Sequence, residues 1–144
     1  MLGGIFMDFK NLAELETYLQ NKISESLQVD VALESRHLMR EKIQTEVYEA
    51  YTPLDYERTF KTIESVITTP VGGDVIELKT TRRGNNGENI PYILEYGRGY
   101  QWGTNLDERI GPRPFMKETY NALLNGQLKL YMKMALIKRG INTI

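Results

Sequence analysis

Few side chains in this sequence are of the kinds that carry out covalent or metal chemistry. His37 is the one histidine among 144 residues, and cysteine is absent. A lone histidine without a G-x-S-x-G motif does not support a hydrolase of the Ser-His-Asp type. The absence of thiols excludes cysteine nucleophiles, disulfides and thiolate metal sites.

The acidic residues also lack the grouping that a metal site requires. Asp107 and Glu108 stand beside Arg109 without a further ligand, and Glu88 and Glu95 have no other acid nearby. Because a two-metal nuclease needs several acids that converge on one site, the sequence predicts no catalytic residue, no metal site and no cofactor. An enzyme such as a small nuclease or toxin remains an alternative that would require Glu and Asp clustered in one cleft.

The stretch IPYILEYGRGYQWG, residues 90–103, combines aromatic residues, glycines and an arginine. Its glycines fit neither G-x-G-x-x-G nor a P-loop. Arginine among aromatics is typical of single-strand binders, but large, partly polar aromatics on loops are also the usual anchors of protein interfaces. We therefore predict a protein contact surface, with a nucleic-acid-binding module as the alternative. The predicted interface residues are Arg82, Arg83, Arg98, Tyr100, Trp102 and Arg109.

Length and composition are those of one soluble domain spanning 1–144, with residues 1–7 expected to be flexible and helix 8–29 peripheral. The formal net charge of −1 gives no general attraction to nucleic acid or anionic membranes. No apolar run approaches the ~20 residues that cross a bilayer, so no membrane association is expected. The first residues do not form a secretory signal.

Charge is divided unevenly along the chain. Residues 1–60 hold 11 acids and 6 bases, whereas residues 61–144 hold 8 acids and 12 bases. A molecule of this kind can associate with copies of itself or with neighbours through opposite charges. The alternative is that both sets of charges are simply solvated.

Two amphipathic helices are predicted first, over residues 8–27 and 30–51, from apolar residues that recur every three or four positions. Asp8 or Asn11 is expected to cap the first helix and Asp30 the second.

A change to β-branched residues then predicts a hairpin over residues 62–81 with a primed turn at Gly72-Gly73. Residues 82–89 are predicted to be a flexible polar loop.

The C-terminal half is predicted to contain a short helical turn at 91–97, a long loop at 98–113, and a helix at 114–139 that ends at Gly140. The apolar residues of the last helix cover more than one stripe, which indicates self-association. The fold is therefore expected to be α+β, with a small antiparallel sheet packed against two N-terminal helices and one long C-terminal helix.

Three motifs resemble the small tail-completion or head–tail joining (neck) proteins of long-tailed bacteriophages, the "gene-ten-like" minor structural proteins. They are AYTPLDYERTFKTIESV at 50–66, IPYILEYG at 90–97 and RPFMKETYNAL at 113–123. The sequence departs from the family pattern after the Thr-Pro turn and at Arg98. The motif residues are Pro53, Arg58, Tyr92, Glu95, Tyr96, Gly97, Arg113, Pro114 and Phe115.

These motif residues are expected to be architectural. Glu95 can reach Arg113 or the N-terminus of the last helix, where a carboxylate is stabilised. Phe115 is expected in the core, and Tyr92 and Tyr96, four residues apart, on one face of the short helix.

The resemblance implies a structural protein of the virion, assembled in the bacterial host cytoplasm. It implies a connector-like homo-oligomeric ring of six or twelve copies whose partners are other neck and tail proteins. Arg82 and Arg83 are candidates for non-specific contact with DNA in a channel.

Overall fold

The computed structural model describes residues 8–49, 61–84, 87–96 and 112–142. Helices and a two-stranded antiparallel sheet make up these residues, which confirms the α+β class. The helices are α1 (Leu12–Glu25), α2 (Ala32–Ile43), α3 (Lys61–Glu64), α4 (Ile90–Tyr96), α5 (Phe115–Ala122) and α6 (Leu128–Lys138). Wide helical turns occupy Ser26–Val31, Gln44–Tyr48 and Leu123–Gln127, and the strands are β1 (Val66–Pro70) and β2 (Ile76–Thr80).

The first helix begins where the sequence predicts. The Asn11 side chain accepts a hydrogen bond from the Glu14 N–H at 2.8 Å, and the Glu14 carboxylate accepts one from the Lys10 N–H at 2.9 Å. The first bond satisfies an N–H group that the start of a helix leaves unpaired, and the second holds the preceding chain against the first turn.

The predicted break between two N-terminal helices is wrong. The backbone remains helical from α1 through Ser26–Val31 into α2, so Asp30 is not a helix cap. No glycine or proline interrupts residues 12–49, and Asp30 bonds to the far end of the chain instead. We call the unbroken helix from Leu12 to Tyr48 the spine.

The wide turns keep the buried face of the spine aligned. In these segments the hydrogen bonds join residues five apart rather than four. Buried residues accordingly occur five apart at Ser26 and Val31, and again at Ile43 and Tyr48. Between them the ordinary helical spacing holds, with Ala32, Ser35, Leu38 and Met39 buried.

The hairpin is confirmed, but its predicted primed turn is wrong. Strands β1 and β2 pair from Val66–Thr80 to Pro70–Ile76, and α3 occupies the start of the predicted first strand. The Val71 N–H donates to the Val75 carbonyl at 2.9 Å, which leaves a three-residue loop, and neither of its glycines has positive φ.

Contacts with the spine account for that loop. The Gln28 amide donates to the carbonyls of Gly72 and Gly73 at 3.0 and 3.2 Å, and the Ser24 hydroxyl also donates to Gly73. The tip of the hairpin is therefore fixed to the spine by side chains that lie more than forty residues earlier.

The last helix is not continuous. Gly126 has φ +130° and ψ −17°, which kinks the chain between α5 and α6. Glycine alone adopts such a backbone without steric cost. The predicted stop is confirmed, because Gly140 has φ +84° and the Ile141 N–H donates to the Leu136 carbonyl at 2.9 Å, as at glycine-capped helix ends.

One core joins the elements on one side of the spine. Its buried residues are Met39, Ile43, Val47, Tyr48, Val66, Ile93, Leu94 and Phe115. Phe115 and Ile43 are completely buried. The sheet and α5 pack against α2, whereas α6 packs against the Ser26–Val31 turn.

A cluster of charges holds the end of α6 on the spine. Asp30 accepts hydrogen bonds from Arg139 and from Lys138, the latter at 3.2 Å, and Arg139 Nε lies 3.5 Å from the Glu25 carboxylate. Burial alone would raise the pKa of Asp30, but the hydrogen bonds and charges of Arg139 and Lys138 outweigh it and hold that pKa below its usual value.

Replacing Gly126 should destabilise the fold. We expect Gly126→Ala to lower the free energy of unfolding by about 1–3 kcal/mol, because an L-residue is strained at positive φ. Denaturant unfolding measures the change. Asn125→Ala is the matched control, since Asn125 precedes the kink, is exposed, and should lose nothing. Equal losses in both variants would contradict the backbone explanation.

The Asp30 cluster should make stability depend on pH. A carboxylate whose folded pKa is lowered contributes stability above its unfolded pKa, and this contribution is lost as pH falls through the folded pKa. We expect Asp30→Asn to lower the free energy of unfolding by about 1–2 kcal/mol at pH 7. The loss should shrink below about pH 4. Asp74→Asn, at the exposed tip of the hairpin, is the control, and a pH-independent loss at Asp30 would contradict the pairing.

Candidate subunit interface

The most constrained polar group among the motif residues is Glu95. Helix α4 holds its carboxylate in a buried position, where Oε2 accepts from the Met116 N–H at 2.8 Å and Oε1 from the Lys117 N–H at 2.9 Å. These N–H groups belong to the first turn of α5, whose flanking residue Pro114 provides no side-chain cap. Glu95 therefore caps α5 from another helix, and the predicted contact with the helix N-terminus is present.

Arg113 and Phe115 complete the junction. The Arg113 N–H donates to the Leu94 carbonyl at 2.7 Å, and its buried guanidinium donates to the Val47 carbonyl at 3.5 Å. Phe115 is in the core, as predicted. Glu95, Arg113 and Phe115 thus join α4, α5 and the end of the spine.

Tyr92 and Tyr96 form an exposed aromatic pair on α4. Their ring centroids lie 4.8 Å apart with the rings tilted by 53°, and about half of each residue is exposed. The shared face that the sequence predicts is therefore present. Asn89 caps this helix by accepting a hydrogen bond from the Tyr92 N–H at 3.2 Å.

The predicted basic interface is only partly within the described residues. Arg83 is exposed and pairs through its backbone with Asn89, while the half-buried Arg82 donates to the Arg83 carbonyl at 2.9 Å. Within the described part of this loop, the Gly84 N–H donates to the Glu88 carbonyl at 2.9 Å. The predicted site and motif residues that lie outside the described residues are Pro53, Arg58, Gly97, Arg98, Tyr100, Trp102 and Arg109.

The C-terminal helices present a large apolar surface to solvent. Leu130, Met134 and Ile137 repeat on the outer face of α6 and are 47%, 61% and 47% exposed. We call these three residues the apolar stripe. Tyr120 and Leu124, which precede the kink, are 61% and 63% exposed. The sequence pattern predicted this second apolar face and indicated that it would be used for self-association.

A cleft of about 280 Å³ lies between the spine, β2 and the kink. Its lining is apolar except for two residues, Ser35 and Asp74. The lining consists of Leu27, Val31, Ser35, Asp74, Val75, Ile76, Leu78, Leu123 and Leu128. Such a lining suits apolar side chains rather than phosphate or metal ions.

No chemical site emerges from the part of the chain that the structure describes. His37 is exposed on α2. Within residues 8–49, 61–84, 87–96 and 112–142, no group of three or more His, Asp and Glu side chains is placed to hold a metal. No helix in these ranges is long and apolar enough to cross a membrane.

Removing the Glu95 carboxylate should loosen the last helices. We expect Glu95→Ala to lower the free energy of unfolding by about 2–3 kcal/mol, since two N–H groups lose their acceptor. Glu95→Gln keeps one acceptor oxygen and should lose less. Glu64→Gln, at an exposed glutamate of α3, is the control. Hydrogen exchange should accelerate first at Met116 and Lys117, and unchanged protection there would contradict the capping role.

Comparison with known proteins gives a family. A family model for YomN matches residues 11–139 of the chain. The SPbeta prophage-derived protein YomN of Bacillus subtilis (strain 168) is 38% identical over 105 residues, which are 72% of this chain and 74% of that protein. No solved structure matches. The resemblance to phage proteins thus holds at the level of a family with a prophage-derived member, and since the family model covers most of the sequence, the chain belongs to the YomN family.

Proposed function

We propose that this protein is a structural component of a tailed bacteriophage or prophage virion, without enzymatic activity. It acts at the neck, in tail completion or in joining the tail to the head, as part of a ring of identical copies. Two kinds of observation support this role: the prophage origin of a relative that is 38% identical, and the three motifs of the head–tail joining proteins.

The observation that carries the proposal is the exposed apolar surface of the C-terminal helices. Soluble monomers rarely expose large contiguous apolar patches, and those that do usually use them as contact sites. Here the three residues of the apolar stripe, together with Leu124 and Tyr120, are each at least 47% exposed. A protein that functions by being incorporated into an assembly requires such a surface.

The buried motif residues also support a structural role. Glu95 and Arg113 are polar and buried, yet their described bonds go to the backbone of this chain. Their role is to fix the orientation of α5 relative to α4 and the spine. The partners of the assembly would then be other neck and tail proteins, met in the host cytoplasm and retained in the virion.

A nucleic-acid-binding module is the second candidate, and one local arrangement favours it. The exposed Arg83 pairs with Asn89, which caps the helix that exposes Tyr92 and Tyr96. The exposed residues of this part of the chain thus include a basic side chain and two aromatic rings, the residue types that single-strand binders use. In a neck ring the same surface would touch DNA non-specifically.

Deletion of the gene from its phage or prophage should separate the two candidates. We expect electron micrographs of the particles to contain full heads and unattached or overlong tails, and a plasmid copy of the gene should restore joined virions. Intact, infectious particles would exclude the neck role. Salt-dependent binding of single-stranded DNA that is lost in Arg82→Ala/Arg83→Ala would then favour the second candidate.

A further inference from the structure

The exposed charges of the two long helical parts have opposite signs. On the spine, every exposed charged residue is acidic, and the four basic residues are half-buried. These acids are Glu14, Glu16, Glu25, Glu34 and Glu41. On α5 and α6, every exposed charged residue is a lysine. These lysines are Lys117, Lys129, Lys133 and Lys138. The charge division of the sequence is therefore a division between two surfaces of the folded chain.

Each of these surfaces also carries exposed apolar residues. Lys133 is three residues from Leu130 and four from Ile137, so it borders the apolar stripe, and Lys129 lies one turn earlier. We call the apolar stripe with Lys129 and Lys133 the basic surface.

The spine has a matching arrangement. Val29 and Leu33 are 57% and 40% exposed, and Glu34 and Glu41 follow seven residues apart on the same side of the helix. We call these four residues the acidic surface. The pKa of Tyr131 on α6 is raised by burial first, and then by the negative charges of Glu34 and Glu41. The field of these two carboxylates therefore reaches α6 of the same chain.

The charges of both surfaces lack partners among the described residues. Within these ranges, neither Lys129 nor Lys133 makes an ion pair, and neither does Glu34 or Glu41. The contrast with Lys138 is clear, since that side chain is already occupied by Asp30. Lysine and glutamate side chains beside exposed leucine and methionine suit a contact with a complementary surface.

We propose that the basic surface of one copy docks on the acidic surface of a second copy of this chain. Charge complementarity selects the second copy as the occupant, since one chain carries both halves of the contact. Two different patches that meet form a heterologous contact, which closes into a ring when the rotation between copies allows it. These are the surfaces through which copies would meet in the ring proposed above. The contact rests on the proposed function only for its biological setting.

Charge reversal and its rescue test the contact in the full chain. Sedimentation velocity at about 10–100 µM and low salt should detect oligomers of the wild type, and about 0.5 M salt should weaken them. Lys129→Glu/Lys133→Glu should weaken self-association by about tenfold or more, as should Glu34→Lys/Glu41→Lys. The chain that carries all four reversals should regain association, because the complementarity is restored with opposite sign.

Matched controls separate this contact from a general effect of charge. Lys61→Glu/Lys79→Glu changes the net charge as much as the α6 variant does, but it alters α3 and β2 instead, and it should leave association unchanged. All substituted residues are exposed or half-buried, and circular dichroism of each variant verifies folding.

A monomeric wild type over the whole concentration range would overturn the proposal. Oligomers that persist unchanged in both charge-reversal variants would overturn it as well. So would a fourfold variant that does not regain self-association. These results differ from failure of the neck role, which the particles of the deletion strain report. Unattached heads and tails together with a monomeric protein would retain the neck role and exclude this contact.

Discussion

The carboxylate of Glu95 determines where the C-terminal half of the molecule lies. It replaces the cap that Pro114 does not supply, and it comes from a helix more than twenty residues earlier in the chain. A buried carboxylate is costly unless it is hydrogen-bonded, and two N–H groups at the positive end of a helix meet that requirement. With α5 fixed in this way, Phe115 enters the core and α6 follows the spine back toward Asp30. The position of the apolar stripe depends on that path.

The spine is the second constraint, because each other element packs on part of its length. Strands β1 and β2 contact α2, the tip of the hairpin bonds to Gln28, and α6 packs on the Ser26–Val31 turn. One helix can contact all of these neighbours because each of its two wide turns shifts the direction in which the buried face points. The spine also carries exposed glutamates and the exposed Val29 and Leu33.

Local signals in the sequence were sufficient for much of the fold. The cap at Asn11, the two strands, the short helix α4 and the stop at Gly140 all depend on residues within one or two turns of each other. The helix N-terminus as the partner of Glu95 was also predictable, since a carboxylate there is favoured on electrostatic grounds.

Each wrong prediction followed a local or periodic signal in the sequence that the folded structure overrides. Asp30 is a good N-cap residue, but a salt bridge to Arg139 fixes it inside a continuous helix, and no local pattern reveals a partner 109 residues away. The turn at Gly72-Gly73 is shaped by the Gln28 amide rather than by its own preferences. Gly126 lies within an uninterrupted apolar pattern, so periodicity alone gives a straight helix. The sequence predicted the second apolar face of α6. The opposite signs of the exposed charges on the spine and on α6 became clear only from the burial of each side chain.

The kink at Gly126 has a mechanical consequence. Glu95 anchors the start of α5, and Asp30 anchors the end of α6, so the two helices behave as levers with clamped outer ends and a joint between them. A Cβ atom placed at Gly126 would meet no atom within 4 Å, so the joint has open space beside it. Bending of this region therefore concentrates at a single backbone position with empty space beside it.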